Sequence, residues 1–401
     1  MFTRNANLKA ALARKSMLLL GPRMTGKSTL LRQALPDAVT IDLLQPAMHR
    51  DLAARPERLA DLARSCRPDS EGQRVVVVDE VQKVPELLDE AHRLIEADPS
   101  LRVVLTGSSA RKLRRTGVNL LAGRATPVQL FPLCQPERAS HPVVQVPLDR
   151  ALQHGSLPFV LLDPEPARAL HEYVSTYVEQ EVLAEGLARN YGAFARFLEV
   201  AAATNGEQVV FANIARDAEV PARTVADYYQ LLDDTLLGTT LPPFTASVAR
   251  KAVTTAKFYF FDVGVAHALQ RRTSIAPASA EWGKALEHLV YCELRAAIGY
   301  QGLFDLRLGF WRSQTQHEVD FVVSAGREPL LGIEVKAARH IERRDLRGLR
   351  ALGEEFAGMR RLVVCQAAAE ATLDDGTQVG PVEAFLRRLW SPTGLRGLVG
   401  R

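Results

Sequence analysis

Two groups of residues have the types and the spacing needed for phosphate chemistry. In the first, GPRMTGKST, the residues Gly21, Gly26, Lys27 and Ser28 satisfy the pattern G-x-x-x-x-G-K-[ST]. Such a loop between a strand and a helix presents backbone N–H groups to phosphates. Lys27 would reach the β- and γ-phosphates, and the Ser28 hydroxyl would ligate Mg²⁺. The residues expected to bind ATP are Gly21, Pro22, Arg23, Met24, Thr25, Gly26, Lys27, Ser28 and Thr29.

The alternative for this run is a glycine-rich turn with a chance lysine. The apolar run SMLLL before it and the helical run KSTLLRQAL after it argue against that interpretation. The run RVVVVDE then supplies acidic residues, with Asp79 at the end of a predicted buried strand and Glu80 beside it. Asp79 would hold Mg²⁺ through water, and Glu80 would polarise the attacking water. The Asp–Glu pair favours ATP hydrolysis over nucleotide storage.

The next predicted strand, LRVVLTGSS, also ends in polar residues. Thr106, Ser108 and Ser109 could sense the γ-phosphate, and we place Ser108 in the catalytic set. Further on, LLAGRATPVQLF puts Arg124 at the end of a predicted helix. An arginine there would stabilise transferring charge in a neighbouring subunit's nucleotide site, which predicts a homo-oligomer. A solvated surface arginine is the alternative.

A second group of charged residues lies in the C-terminal third. LLGIEVKAARH reads as a strand on which Glu334 and Lys336 share one face, because side chains alternate across a strand. Asp320 stands on the preceding predicted strand, EVDFVV, and Glu287 on the helix EWGKALEHLVYCELRAAI. Glu287, Asp320 and Glu334 could hold Mg²⁺, which would orient and acidify a water. Lys336 could stabilise the nucleophile or the charge developing on a phosphodiester.

An E-x-K run alone is typical of an ion pair on a half-exposed strand. The order E…D…E-x-K along the chain is what favours an active site over that ion pair. The run ARHIERRDLRGLR follows, and its Arg343, Arg347 and Arg350 recur at helical spacing. This spacing indicates either a phosphate-facing stripe or a solvated basic helix.

Length and composition limit the classes of protein to which the chain can belong. At 401 residues, two to four domains are expected, and 47% hydrophobic content is enough to bury real cores. A net charge of +4 excludes a histone-like polycation but leaves room for local basic patches. The four cysteines lie far apart without C-x-x-C spacing, so neither a disulfide framework nor a zinc site is indicated. SMLLLG is too short to cross a bilayer, and no signal peptide is evident, so a cytoplasmic location is expected.

The middle of the chain reads as helix, turn, helix in FANIARDAEVPARTVADYYQLLDDTLL. Arg223 and Thr224 begin the second helix, whose first residues would approach DNA in a winged-helix domain. The segment holds five acidic residues against two arginines, so charge does not favour DNA, and a protein partner is the alternative.

Several motifs together resemble a large prokaryotic family of AAA+-type ATPases with a C-terminal domain of unknown function. The matching stretches are GPRMTGKSTLL, VVVVDEVQKVPEL, LTGSSARKL, LAGRATPVQLFPL, FYFFDVGVAHAL, EVDFVV and GIEVK. The C-terminal half looks like a restriction-endonuclease-like PD-(D/E)XK fold. The resemblance implies ATP at Lys27, Ser28, Asp79 and Glu80 and a nuclease-like centre at Glu287, Asp320, Glu334 and Lys336. The chain departs from the family at Met24-Thr25, where Gln-Val is frequent, and at Ser28, where Thr is frequent.

The expected fold class is multidomain α/β. Its parts are a P-loop, AAA+-like parallel sheet (1–135), a helical lid (136–195), a winged-helix-like domain (196–248) and a restriction-endonuclease-like α/β domain (249–401). The preferred hypothesis is an ATPase whose cycle drives or gates a Mg²⁺-dependent domain acting on nucleic acid, with DNA preferred over RNA. The alternative is a nucleotide-dependent switch or scaffold whose nuclease-like domain only binds DNA or a protein. A DNA-binding regulator would need a basic recognition helix, which the sequence lacks.

Overall fold

A computed structural model describes residues 1–69, 72–109, 123–178, 191–245 and 255–401. The chain divides into two compact units. The N-terminal unit comprises Arg4–Phe131 with Asp234–Leu237, and the C-terminal unit comprises Met1–Thr3, Pro132–Asp233 and Gly238–Arg401. The finer division at residues 135, 195 and 248 stays a prediction.

The N-terminal unit is built on a five-stranded sheet. Its strands are β1 (Ser16–Leu20), β2 (Val39–Asp42), β3 (Arg74–Asp79), β4 (Leu101–Gly107) and β5 (Ala125–Gln129). They lie in the order β2-β3-β4-β1-β5, and every neighbouring pair is parallel. Parallel strands covered on both faces are near-continuous apolar runs, as the four valines of β3 are. The predicted parallel sheet is confirmed.

Helices of the N-terminal unit connect these strands and cover the sheet. They are α1 (Leu8–Arg14), α2 (Lys27–Ala34), α3 (Pro46–Ala54), α4 (Arg58–Arg64) and α5 (Leu87–Ala97), with a short 3₁₀ turn at Val81–Lys83. Helix α5 buries Leu87, Leu88, Ala91 and Leu94 against the valines of β3 and the apolar residues of β4. Strand β4 lies between β1 and β3, so the carboxyl ends of these three strands meet at one edge of the sheet.

The C-terminal unit begins with helices. The described ones before its first strand are α6 (Gln135–Ala139), α7 (Leu148–His154), α8 (Pro158–Leu162), α9 (Pro166–Tyr173), continued by a π-helical turn at Val174–Val178, α10 (Tyr191–Ala203), α11 (Phe211–Asp217) and α12 (Ala222–Asp234). Four residues separate α11 from α12, as the helix-turn-helix pattern predicts. Strand β6 (Gly238–Leu241) then pairs antiparallel with β7 (Lys257–Phe260), so paired strands stand on both sides of the predicted boundary at 248.

A six-stranded mixed sheet forms the rest of the C-terminal unit. Its strands are β8 (Leu306–Arg312), β9 (Glu318–Ala325), β10 (Glu328–Val335), β11 (Arg360–Cys365), β12 (Ala371–Thr372) and β13 (Gln378–Pro381), in the order β12-β13-β11-β10-β9-β8. Strand β9 pairs antiparallel with β8 and β10, whereas β10, β11 and β13 run parallel. The helices are α13 (Val263–Leu269), α14 (Ala280–Tyr300), α15 (Arg347–Glu355), α16 (Val382–Leu389) and α17 (Gly394–Val399), with a 3₁₀ turn at Arg343–Leu346.

One large core holds this unit together. Trp282 and Tyr291 of α14 pack with Phe310 of β8 and Phe321 of β9, and all four are almost fully buried. This packing fixes α14 on one face of the sheet, across β9 and β10. Within the described ranges, no helix is both long and apolar enough to cross a membrane.

Candidate functional site

The predicted phosphate loop lies between β1 and α2. Gly26 has a φ of 94° and Met24 a φ of 63°, so both take the left-handed conformation that turns the loop. Lys27 begins α2, and its Nζ donates to the carbonyl oxygens of Gly21 (2.7 Å) and Pro22 (3.1 Å). The ammonium therefore lies inside the loop. A Cβ on Gly21 would lie 2.6 Å from the carbonyl oxygen of Leu130, so only glycine fits there.

The remaining predicted residues of this loop differ in exposure. Pro22 and Thr25 are buried, and the Thr25 hydroxyl donates to the Pro22 carbonyl at 2.8 Å. Arg23 and Thr29 are half-buried, whereas Met24 is 44% exposed. The inner part of the loop is thus fixed, and its tip faces solvent.

The predicted Mg²⁺ ligands lie side by side. Ser28 Oγ donates to Asp79 Oδ2 at 2.7 Å, and the Thr106 hydroxyl donates to Asp79 Oδ1. Asp79 is buried at the end of β3. Mg²⁺ takes oxygen ligands and commonly keeps waters while binding one or two carboxylates and substrate phosphates. The Ser28 hydroxyl and the Asp79 carboxylate fit that ion.

Glu80 is held in place by two neighbouring residues. Its φ of 62° places it in the left-handed region, and its N–H donates to Thr106 Oγ1 at 3.1 Å. Gln82 Nε2 donates to Glu80 Oε2 at 2.5 Å and to Ser108 Oγ at 3.1 Å. The structure therefore brings together Glu80 and Ser108, which the sequence predicts to be catalytic, through Gln82, which the sequence analysis missed.

Arg124 lies just before β5. Its guanidinium pairs with Glu96 of α5, and its side chain is 38% exposed. The helix predicted to precede it falls on residues 110–122, outside the described residues. Ser109 is buried and lies two residues after the end of β4, the strand that carries Thr106.

The three acidic residues predicted to bind metal in the C-terminal unit stand on neighbouring elements: Asp320 on β9, Glu334 on β10 and Glu287 on α14. Lys336 Nζ lies 2.6 Å from Glu334 Oε1, so these two side chains do share one face of the strand. Asp320 Oδ2 accepts a hydrogen bond from the Val335 N–H at 2.8 Å. The Glu334 side chain is only 9% exposed, and its Oε2 is buried without a hydrogen-bond partner in the described structure.

Burial and like charge act on the Asp320 and Glu334 carboxyls. Burial raises the pKa of Asp320 well above its usual value, and the charges of Glu334 and Glu287 raise it further. Burial also raises the pKa of Glu334, against the opposing charge of Lys336. Two buried carboxylates that repel each other are stabilised by a cation placed between them.

A second lysine lies in this group and was missed by the sequence analysis. Lys257 Nζ lies 2.7 Å from Glu318 Oε1 and 3.2 Å from Glu287 Oε1, and the Tyr259 hydroxyl donates to Glu287 Oε1 at 2.5 Å. Burial opposes the charged form of Lys257, but the charges of Glu287, Asp320 and Glu318 outweigh it and raise the pKa. The only indication in the sequence was the run KFYF, in which Lys257 and Tyr259 alternate with phenylalanines and would therefore share one face of a strand.

The predicted metal residues divide into two parts. Asp320 and Glu334 form a buried pair that fits Mg²⁺, since this ion needs only one or two carboxylates beside water and phosphate. Glu287 is turned toward Lys257 and Tyr259 instead. Among the described residues, no three His, Cys, Asp or Glu side chains converge on one metal position. We refer to Glu287, Glu318, Asp320, Glu334, Lys257 and Lys336 as the acidic centre.

The predicted basic stripe is only partly available to a ligand. Arg350 Nε lies 2.7 Å from Asp375 Oδ2, whereas Arg343 and Arg347 are exposed. In the helix-turn-helix segment, Arg223 and Thr224 lie in the first turn of α12. Val210 and Phe211 at the start of α11 are each 43% exposed.

Three segments of the chain match known families. Residues 13–139 match a family described as AAA domain, and residues 146–276 and 282–385 match the domains of unknown function DUF8612 and DUF4143. Together with the phosphate loop and its acidic partners, the first match identifies an AAA-type P-loop ATPase in the N-terminal unit. That family implies use of ATP, and usually of Mg²⁺.

Similar proteins and structures are also found. The uncharacterized proteins Mb2031c of Mycobacterium bovis and Rv2008c of Mycobacterium tuberculosis are each 27% identical to this chain over 342 residues, covering 82% of this chain and 72% of theirs. A DNA polymerase III gamma subunit-related protein from Thermotoga maritima aligns over 72% of this chain and 98% of its own, with 13% identity and a TM-score of 0.25. A tetratricopeptide-repeat STAND ATPase from Pyrococcus horikoshii aligns over 75% of this chain and 50% of its own, with 12% identity and a TM-score of 0.24. Scores this low carry no argument about the fold.

Proposed function

We propose that ATP binding and hydrolysis in the N-terminal unit drive or gate a Mg²⁺-dependent centre in the C-terminal unit that acts on nucleic acid, DNA rather than RNA. Asp320, Glu334 and Lys336 carry that second activity. The observation that supports it best is the buried Asp320–Glu334 pair, with Glu334 Oε2 lacking a hydrogen-bond partner and Lys336 beside it. A surface ion pair would need neither the burial nor the second carboxylate.

The side chains have separate roles in this proposal. When bound, Mg²⁺ supplies an oriented and acidified water. The Val335 N–H donates a hydrogen bond to Asp320 Oδ2. This bond fixes the orientation of the carboxylate and therefore the direction in which Asp320 Oδ1 points. Lys336, with a side chain 32% exposed, can reach a phosphate at the surface while Glu334 holds its ammonium. Positive charge at that point stabilises the charge that develops on a phosphodiester during cleavage.

The finer architecture belongs to the same proposal. Residues 136–195 act as a helical lid, 196–248 as a winged-helix-like domain and 249–401 as a restriction-endonuclease-like domain. The mixed sheet with acidic residues on adjacent strands and on one helix supports the last of these. The protein is expected in the cytoplasm.

Arg124 would leave Glu96 to act in the nucleotide site of a neighbouring subunit. Mass measurement with an ATP analogue should therefore show a closed oligomer. A monomer with full ATPase activity would remove this role.

A second function is a nucleotide-dependent switch whose C-terminal unit binds a partner without cutting. Lys257 favours it, because its ammonium neutralises part of the acidic centre. Exposed Val210 and Phe211 at the helix-turn-helix segment favour a protein partner for that segment.

A cleavage assay separates the two functions. Wild type should nick or cut DNA with Mg²⁺ or Mn²⁺, and Asp320→Asn should abolish this activity. Asp305→Asn is the matched control, since Asp305 is an exposed aspartate paired with Arg396 at 2.7 Å and should cut normally. No cleavage of DNA or RNA by wild type, with or without ATP, would favour the switch; cleavage that persists in Asp320→Asn would mean another site or a contaminant.

A further inference from the structure

Lys257 reaches the acidic centre because of the strand on which it stands. Successive side chains of a strand point to opposite faces. Lys257 and Tyr259 of β7 therefore share one face, and both contact Glu287 Oε1. Phe258 and Phe260 take the other face, where Phe258 packs on Tyr229 of α12 at 4.8 Å between ring centroids.

The surroundings of Lys257 hold its side chain in one position. The side chain is 3% exposed, its ammonium lies between Glu287 and Glu318, and Nζ is 5.5 Å from the centroid of the Phe310 ring. Tyr259, which shares Glu287 with it, stacks on Tyr291 with centroids 4.1 Å apart. A buried charge is tolerated only where it is paired, so Lys257 and these carboxylates depend on each other.

The acidic centre holds more carboxyl groups than cationic groups. Four carboxylates, Glu287, Glu318, Asp320 and Glu334, face the ammonium groups of Lys257 and Lys336. Arg312 adds a longer contact to Glu318, at 3.7 Å. Lys257 is therefore paired with Glu287 and Glu318, whereas on the other side of the centre Glu334 Oε2 is buried without a hydrogen-bond partner in the described structure.

We propose that Lys257 is the resident cation of the acidic centre. Its ammonium keeps Glu287 out of the metal shell and limits divalent metal at the centre to at most one ion, which Asp320 and Glu334 would hold. The inference deepens the proposed function and rests on it for the identity of these two metal-binding residues. Lys257 is thus a positioning residue, which acts on metal occupancy through Glu287.

Removing the charge of Lys257 should change metal binding in a definite direction. Lys257→Met keeps an unbranched side chain but leaves the Glu287 carboxylate without its cation. A third carboxylate then becomes available, so the centre should bind an additional divalent ion or bind one about tenfold more tightly, the scale on which supporting residues tune metal sites. Lys257→Arg keeps the charge and is the matched control.

The test is titration of the nucleotide-free full chain with Mn²⁺, followed by electron paramagnetic resonance. Ions lost in Asp320→Asn are those bound at the acidic centre. We expect wild type and Lys257→Arg to bind at most one such ion and Lys257→Met to gain an ion or affinity. Equal Mn²⁺ binding by wild type and Lys257→Met, including no binding by either, would overturn the inference.

A second variant keeps the inference testable if Lys257→Met does not fold, which tryptophan fluorescence would show. Glu287→Gln should leave Mn²⁺ affinity at the wild-type level, because Glu287 is held by Lys257 and Tyr259. A loss of affinity in Glu287→Gln would put Glu287 in the metal shell and overturn the inference.

The same titration distinguishes the inference from the proposed function. If wild type binds no Mn²⁺ at the centre and Lys257→Met does, the role of Lys257 stands and the metal-dependent nuclease falls. If wild type binds one ion and Lys257→Met behaves identically, the nuclease proposal stands and the role of Lys257 falls.

Discussion

The side-chain amide of Gln82 joins Glu80 to Ser108. Its Nε2 carries two hydrogens, and it donates to Glu80 Oε2 at 2.5 Å and to Ser108 Oγ at 3.1 Å. Gly107 leaves the space for this amide, since a Cβ there would lie 2.8 Å from Gln82 Oε1. The Glu80 carboxylate, which would polarise the attacking water, is therefore oriented by Gln82, and Gln82 is itself held by Ser108 just after the neighbouring strand β4.

Two substitutions in the ATP site should separate binding from turnover. Lys27→Ala should lose nucleotide binding, because it removes the ammonium inside the phosphate loop. Glu80→Gln should bind ATP normally and lower kcat by about 100-fold or more, since the amide cannot accept the proton of water. Equilibrium binding of a fluorescent ATP analogue and phosphate release measure the two effects. Unchanged hydrolysis in Glu80→Gln would remove Glu80 from the role of base.

Gln82→Ala should affect turnover through the orientation of Glu80. We expect kcat to fall by about 10- to 100-fold with ATP affinity unchanged, because a misplaced catalytic group costs rate and not binding. Gln45→Ala is the control, since Gln45 is exposed and its side chain makes no capping hydrogen bond to α3. A rise in KM without a change in kcat would show that Gln82 supports the loop and not the carboxylate.

Stability of the C-terminal unit should depend on the buried pair of Arg138 and Glu293. The two side chains are 4% and 1% exposed and lie 2.9 Å apart, and Trp390 Nε1 also donates to Glu293. Arg138→Met should lower the free energy of unfolding by about 3–5 kcal/mol, because it leaves the buried Glu293 carboxylate without its cationic partner. The exposed pair of Arg168 and Glu172 gives the control, and Arg168→Met should cost less than about 1 kcal/mol.

Urea unfolding followed by tryptophan fluorescence makes this measurement. All three tryptophans of the chain, at positions 282, 311 and 390, lie in the C-terminal unit, so the signal reports on that unit alone. Equal effects of the two arginine substitutions would mean that the Arg138 pair contributes no more than a surface ion pair.

The Asp262 carboxylate should make stability depend on pH. It caps α13 by accepting from the Gly264 N–H and also accepts from the Ser156 N–H at 2.7 Å, yet burial raises its pKa to about 6. The folded chain therefore binds a proton between pH 4 and 6 that the unfolded chain releases, and stability falls as pH rises through that range. From pH 4 to 7, wild type should lose up to about 3 kcal/mol relative to Asp262→Asn. A difference that does not vary with pH would contradict this assignment.

Sequence reasoning was successful where the signal is local. The strands of the N-terminal sheet are short apolar runs, and polar residues follow them directly, so Asp79 and Thr106 could be expected at one edge of the sheet. Glu334 and Lys336 are two residues apart on a strand, which fixes their common face. In these places the side-chain period alone determines which residues meet.

Contacts between distant segments could not be predicted in the same way. Lys257 reads as the start of an apolar strand, and only the pairing of β7 with β6 and the packing of α14 bring it to Glu287. Arg350 fits a basic stripe by spacing, but its partner Asp375 stands 25 residues later. The two-residue strand β12 is too short for any periodicity. Each of these features depends on tertiary packing that overrides the local pattern.

The most direct test of the central claim compares DNA cleavage between nucleotide states. Glu80→Gln should hold ATP without turnover, so its Mg²⁺-dependent cleavage rate with ATP can be compared with its rate without nucleotide and with ADP. If the nucleotide cycle gates the acidic centre, these rates should differ by about fivefold or more, and Glu334→Gln should abolish all of them. Equal rates in every nucleotide state, or cleavage that survives Glu334→Gln, would contradict the account.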